Sequence, residues 1–358
     1  MKVYGVIMAG GGGTRFWPLS RQKRPKQLLN LTGKQPMINE AVERLAYITK
    51  AENIFIVTNK DQTASMLDVT KGMVSPEHIL SEPCARNTAA CIGYAALEIT
   101  KKYSDGVMVI TPSDHYIRNT DNFVKVLRQG IQAAEETEKL ITIGIKPTFP
   151  ATGYGYIKYD KSNSGIARPV AAFKEKPDEK TAKAYIESGE YLWNSGMFIW
   201  RADVILEKMK EYIPDIYGEL LKIGASMNTS DEKECIERIY PNIRKISIDY
   251  GVMEPASLEG DVLTIPGDFG WDDVGSWDML NVLHDSDAAG NVFLGDVVGV
   301  DVSNTTVYSN GRTVTALGVD NLIIVETPDA VMVCPKDRAQ EVGRIAEHLV
   351  SIGHKDLI

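Results

Sequence analysis

Several stretches of the chain carry residue types able to handle a polyanion. Gly10-Gly11-Gly12-Gly13-Thr14-Arg15 follows directly on an apolar run, and Lys26 lies in the same loop. Glycines let backbone N–H groups converge on phosphate oxygens and supply positive-φ positions. Two familiar phosphate loops fail on spacing. A dinucleotide fingerprint needs a third glycine where Arg15 or Phe16 stands, and a P-loop needs Gly-Lys-Ser/Thr after four intervening residues. Glycines alone fit a surface turn equally well. Arg15 and Lys26 tip the balance, since one cation–anion contact at ~4 Å is worth about 4 kcal/mol at an effective dielectric near 20, before desolvation. Two such cations suit the charge that develops in phosphoryl or nucleotidyl transfer.

Carboxylates come next. Asp114, in Pro112-Ser113-Asp114-His115, follows a β-branched run. A carboxylate there is placed either to hold Mg²⁺, a hard cation that prefers oxygen and keeps several waters, or to make a turn. Trp271-Asp272-Asp273-Val274-Gly275 supplies a second carboxylate far along the chain. Neighbouring residues of a strand point oppositely, so only one of Asp272 and Asp273 is expected to face a metal. His78, His115, His284, His348 and His354 form no metal pattern, and His115 reads as a structural partner of Asp114. No Gly-x-Ser-x-Gly or Cys/His arrangement is present.

The elements that must position these residues are legible from periodicity. Apolar runs at 3–9, 53–58, 107–111 and 140–145 read as buried strands. Helical spacing at 37–48, 89–102 and 121–138 separates them. This alternation predicts crossover units, a mostly parallel sheet and helices on both faces. After Pro150, strands are expected at 154–159, 170–174 and 197–200, and helices from Asp178, over 202–213 and over 231–240. Short β-rich runs at 297–302, 305–308, 322–325 and 331–333 suit a few turns of β-helix, followed by a helix at 337–350. The expected organisation is α/β: a large Rossmann-like domain at 1–286 with a mixed, mostly parallel sheet, and a small C-terminal β-rich domain at 287–358.

Taken together, Gly10 to Arg15, Trp17-Pro18-Leu19-Ser20 and Pro25-Lys26-Gln27 resemble the signature of the sugar-nucleotide pyrophosphorylases, and in particular their mannose-1-phosphate guanylyltransferase branch. The resemblance covers essentially the whole chain. It implies that Gly10, Gly11, Gly13, Thr14, Arg15 and Lys26 bind the nucleotide phosphates and pyrophosphate. It implies that the stretch from Glu82 to Asn87 and Thr88 reads guanine, with Ala90 standing where a proline is common. It makes Asp114 and Asp273 the metal pair for Mg²⁺ or another divalent cation. Gly153, Glu175, Lys176, Asn194 and Asp249 become sugar-phosphate contacts, while Pro255 replaces an often basic residue. Arg15, Lys26, Asp114 and Asp273 are then the catalytic set.

The implied reaction joins GTP and mannose 1-phosphate into GDP-mannose and pyrophosphate. Alternatives are the same chemistry on another hexose 1-phosphate or nucleoside triphosphate, or a silent GDP-mannose-binding regulatory homologue. Guanylylation of a molybdenum-cofactor precursor fits less well, because such enzymes lack the long sugar-site half. The resemblance also implies a homodimer, and the chain ends too early for the isomerase domain of larger relatives.

Bulk properties agree. A net charge of −9 argues against nucleic acid as a partner. Cys84, Cys91, Cys235 and Cys334 are scattered, as in a reducing compartment, so a cytoplasmic protein is expected. The opening apolar run is too short for a signal peptide, and no stretch reaches membrane-spanning length.

Overall fold

The computed structural model describes residues 1–174 and 176–358. Its first seven strands are β1 (Lys2–Ala9), β2 (Ile54–Asn59), β3 (Ile79–Glu82), β4 (Gly106–Pro112), β5 (Tyr116–Ile117), β6 (Leu140–Ile145) and β7 (Tyr156–Tyr159). Then come β8 (Arg168–Lys174), β9 (Tyr191–Arg201), β10 (Val262–Gly267) and β11 (Trp271–Asp272). The C-terminal strands are β12 (Val292–Leu294), β13 (Val297–Val300), β14 (Thr306–Ser309), β15 (Val314–Leu317), β16 (Leu322–Glu326) and β17 (Val331–Pro335).

Nine of these form one sheet in the order β3-β2-β1-β4-β9-β6-β10-β8-β7. β3, β2, β1 and β4 are mutually parallel, and β6 and β10 are parallel to each other. β9 enters antiparallel between β4 and β6, which makes the sheet mixed. Strands β1, β2 and β4 are buried almost throughout, which is why they read as unbroken apolar runs. Helices Asn87–Lys102 and Thr120–Thr137 cover opposite faces, each contributing to its own apolar core.

The helix expected at 121–138 forms over Thr120–Thr137, with Asn119 capping it through the Asn122 N–H at 3.0 Å. Asp178 caps the helix Glu179–Ser188 through the Thr181 N–H at 2.7 Å. The pattern reading misses β3, β10, several short strands such as β12 and β15, and the helices Thr63–Val69 and Pro214–Ser226, among others. The single terminal helix expected at 337–350 is instead a 3₁₀ turn, Lys336–Glu341, and a helix, Gly343–Ser351.

The C-terminal strands stack as short parallel rungs, β12 on β14 on β16 and β13 on β15, with β17 closing antiparallel on β16. Asn304 and Asn321 occupy the same corner of successive rungs, both at positive φ, and Asn304 donates to Asn321 at 3.2 Å. Asparagine tolerates that backbone region because its short side chain bonds locally. A third core joins this region to the chain's opening: Phe16, Trp17 and Trp277 pack with Ile323, Val325, Met332 and Ala346.

Candidate active site

The C-terminal ends of β1, β3 and β4 converge on one edge of the sheet, where open α/β sheets hold ligands. The glycine loop leaves β1 there. Gln27 fixes it, donating to the carbonyls of Ala9 at 2.8 Å and Gly11 at 3.2 Å. Gly13 has φ +60, and a β-carbon on it would stand 2.4 Å from Lys26 Cβ and 2.8 Å from the Lys26 nitrogen. Gly11 and Gly12 have nothing within 4 Å of the equivalent point, so their face of the loop is open. Gly13→Ala is therefore expected to destabilise the fold by about 1–3 kcal/mol, combining a left-handed backbone penalty with displacement of Lys26. A denaturant midpoint unchanged from wild type would count against this packing.

Lys26 is buried, and its Nζ reaches Asp114 Oδ2 at 2.8 Å and the Asp273 carbonyl at 2.7 Å. Burial pushes the Asp114 carboxyl up, but the charge and hydrogen bond of Lys26, neighbouring His115 and a backbone N–H together outweigh it and hold the group below its ordinary value. Pairing of β11 with β5 sets Asp272 opposite Tyr116 and so brings the two acidic stretches side by side. The Asp273 carboxylate accepts from the Tyr154 hydroxyl at 2.9 Å. Arg15 and the Asp273 carboxylate both border Gly275, since a β-carbon built there would stand 3.4 Å from Arg15 Nη1 and 3.4 Å from Asp273 Oδ1.

Strand alternation does not separate the two acids, because β11 ends at Asp272 and Val274 turns the chain at φ +46. A turn separates the two acids instead. Asp272 accepts the Val274 N–H at 2.7 Å, and burial raises it to about 6. Its side chain shapes the turn, while the Asp273 side chain faces Arg15 and Tyr154. His115 is a structural partner: its Nδ1 accepts from Trp271 Nε1 at 3.1 Å, and burial pushes the ring down to about 4.

The base-side and sugar-side residues lie along the same edge. Glu82 is buried at the end of β3; its Oε1 accepts from the Tyr240 hydroxyl, and its Oε2 is 3.3 Å from where a β-carbon on Gly10 would stand. Asn87 sits at φ +67 and accepts the Thr88 N–H at 2.8 Å. Thr88 does not cap its own helix; its hydroxyl accepts the Ile248 N–H at 2.8 Å and docks the loop beside Asp249. Asn194 donates to Asp249 at 2.7 Å, and burial raises Asp249 against that bond and against the nearby Lys176 charge. Asp249 opens a π-helical turn, Asp249–Met253, an irregularity frequent at functional sites. Gly153 is exposed with open space around it. Glu175 lies outside the described residues.

Tyr154 connects the two halves, its ring 5.1 Å from Trp193, the neighbour of Asn194. Thus Lys26 joins Asp114 to the Asp273 backbone, Arg15 lies across Gly275 from the Asp273 carboxylate, Asn194 and Asp249 meet beside Thr88, and an aromatic bridge runs between the two groups. Sequence reasoning missed Gln340, which accepts from Arg15 Nη1 at 2.6 Å and in turn donates to Ser276. It also missed Tyr240 and the bond of Tyr154 to Asp273. Gln340 belongs to no motif, and only the third core's docking of the tail on the glycine loop brings it there.

A polyphosphate-sized loop, two cations and paired acids at the end of a parallel sheet define a nucleotidyl-transfer site, and the chain belongs to the nucleotidyl transferase family, whose model matches residues 4–289. A second model, the mannose-phosphate isomerase/GMP-like β-helix domain, matches residues 295–349. The chain is 39% identical over 352 residues to the xanthan biosynthesis protein XanB of Xanthomonas campestris, covering 98% of this chain and 74% of that protein. It is 37% identical over 363 residues to a mannose-1-phosphate guanylyltransferase of Escherichia coli, covering 99% of this chain and 75% of the relative. Its fold matches the crystal structure of mannose-1-phosphate geranyltransferase from Thermus thermophilus, with a TM-score of 0.88, 34% identity, and coverage of 98% and 99% of the two chains. Among the described residues no helix is long and apolar enough to cross a membrane.

Proposed function

We propose that this chain transfers GMP from GTP to mannose 1-phosphate, giving GDP-mannose and pyrophosphate. The observation that carries the reading is the Arg15–Asp273–Lys26–Asp114 cluster at the mouth of the glycine loop. A sugar-phosphate oxygen attacks the α-phosphorus in line, and pyrophosphate departs opposite. That oxygen is already anionic near neutral pH, so no general base is needed, and catalysis is positioning and charge neutralisation. Arg15 and Lys26 steady the departing pyrophosphate. Glu82, Asn87 and Thr88 face the base; Gly153, Glu175, Lys176, Asn194 and Asp249 hold the sugar phosphate.

The acids fit a divalent cation by their chemistry. Two carboxylates without histidine or thiolate suit Mg²⁺, which takes few protein oxygens and keeps its waters and substrate phosphates. Asp114 and Asp273 would hold the ion, which neutralises charge on the α-phosphate. We further propose a catalytic domain at 1–286 and a β-helical domain at 287–358. A homodimer and a cytoplasmic setting complete the proposal, the first from family likeness and the second from four free cysteines.

A substrate panel tests the function. GTP with mannose 1-phosphate is expected to release pyrophosphate at least about tenfold faster than any other triphosphate and hexose 1-phosphate pair, a margin that base and hydroxyl hydrogen bonds readily supply. Equal or faster release with glucose 1-phosphate and UTP or dTTP would reassign the substrates while leaving the chemistry intact.

A further inference from the structure

Resting on the GTP-dependent reading above, we infer that Tyr240 is a positioning residue for guanine: it holds one oxygen of Glu82 and turns the other toward the glycine loop as an acceptor for the base's N–H groups. Three observations carry this. Tyr240 is fully buried, its hydroxyl donates to Glu82 Oε1, and Glu82 Oε2 lies beside Gly10 at the site's edge. Tyr240 comes from the 3₁₀ turn Tyr240–Asn242, far in sequence from both. Its ring is locked edge-on against Tyr94, 6.0 Å away. A carboxylate with one oxygen engaged by a buried hydroxyl cannot swing away from the ligand.

The arrangement has a consequence in pH. Burial pushes Glu82 up to about 7, against the pull of the Tyr240 hydroxyl. Among the described residues, Cys91 and Tyr94 on the helix Asn87–Lys102 also feel the Glu82 charge; both are buried with raised pKa values, so both are neutral at pH 7. Tyr240 is likewise raised by burial and by Glu82, and remains a protonated donor. The ionised carboxylate accepts from N–H groups roughly twice as strongly as the neutral acid. GTP affinity of the wild-type enzyme therefore falls as pH drops through about 7. Removing the hydroxyl removes the interaction that favours ionisation, so the midpoint moves to higher pH.

The experiment is Tyr240→Phe in the full chain, with GTP affinity measured by calorimetry and kcat/KM for GTP measured from pH 6 to 8.5; kcat/KM reports free-enzyme ionisations. A midpoint raised by about 1 unit, the size expected for one hydrogen bond to a charge, weakens GTP about fivefold at pH 7 and less than about twofold at pH 8.5. A loss of equal size at every pH, or no loss, overturns the inference. Should Tyr240→Phe fold poorly, Glu82→Gln with Tyr240 intact replaces it. Its GTP affinity is expected to be flat across the range, and a profile that still follows wild type overturns the proposal. Wild-type enzyme that neither binds GTP nor forms GDP-mannose brings down the functional reading and this inference with it. Active wild-type enzyme with unshifted variants brings down the inference alone.

Discussion

Asp273→Ala is expected to lower turnover in GDP-mannose formation by about 10²–10³, the range for removing one preorganised electrostatic contact from a reacting centre. The thermal midpoint should move only slightly. The Asp273 side chain accepts from the Tyr154 hydroxyl and borders Gly275 opposite Arg15, so truncation removes a carboxylate from beside the glycine loop's cations. The contact to Lys26 survives, because Lys26 binds the Asp273 backbone carbonyl, which alanine retains. Fold stability loses chiefly the Tyr154 hydrogen bond, worth about 1–1.5 kcal/mol. Asp272→Ala should behave oppositely. Its carboxylate caps a turn through the Val274 N–H, where Val274 sits at φ +46, so its loss costs stability first and activity through it. Steady-state kinetics at saturating Mg²⁺ and a melt of each variant separate the two. Near-normal turnover of Asp273→Ala would remove that residue from the metal pair.

How much of this was legible in advance depended on whether a residue's neighbours were local. β1, β2 and β4 announce themselves because both faces are buried, and the glycine loop and Ser113–His115 follow as the residues that leave them. β10 escaped because six residues ending in Pro266 and Gly267 carry no period of their own; pairing with β6 and β8 makes it a strand. The antiparallel insertion of β9 between β4 and β6 is likewise a long-range choice. Asp273 was reached by motif, while the alternation expected to set it apart from Asp272 was the wrong physics, since the strand stops one residue earlier. Gln340 and Tyr240 lie 325 and 158 residues from the side chains they bind, and no window on the sequence could join such pairs.

Lys26→Met should be nearly as damaging as loss of Asp273, for a different reason. Methionine fills the buried stem beside Gly13 and removes only the charge. Lys26 ties Asp114 to the backbone at Asp273, so its ammonium both offers a positive centre for pyrophosphate and fixes the spacing of the acids. One such cation at an effective dielectric near 20 is worth about 4 kcal/mol before desolvation, which caps the effect near 10³ in kcat/KM. The remaining Asp114 charge loses its partner; its side chain is 35% exposed, so screening holds the stability cost to about 1–2 kcal/mol, below that of a fully buried pair. Lys26→Arg should not rescue, because the forked guanidinium does not fit a slot made for a single point charge against the glycine loop. The discriminating measurement is product inhibition. If Lys26 receives the leaving pyrophosphate, its inhibition constant rises together with the loss of kcat/KM. If Lys26 only spaces the carboxylates, turnover falls while pyrophosphate inhibits as strongly as before.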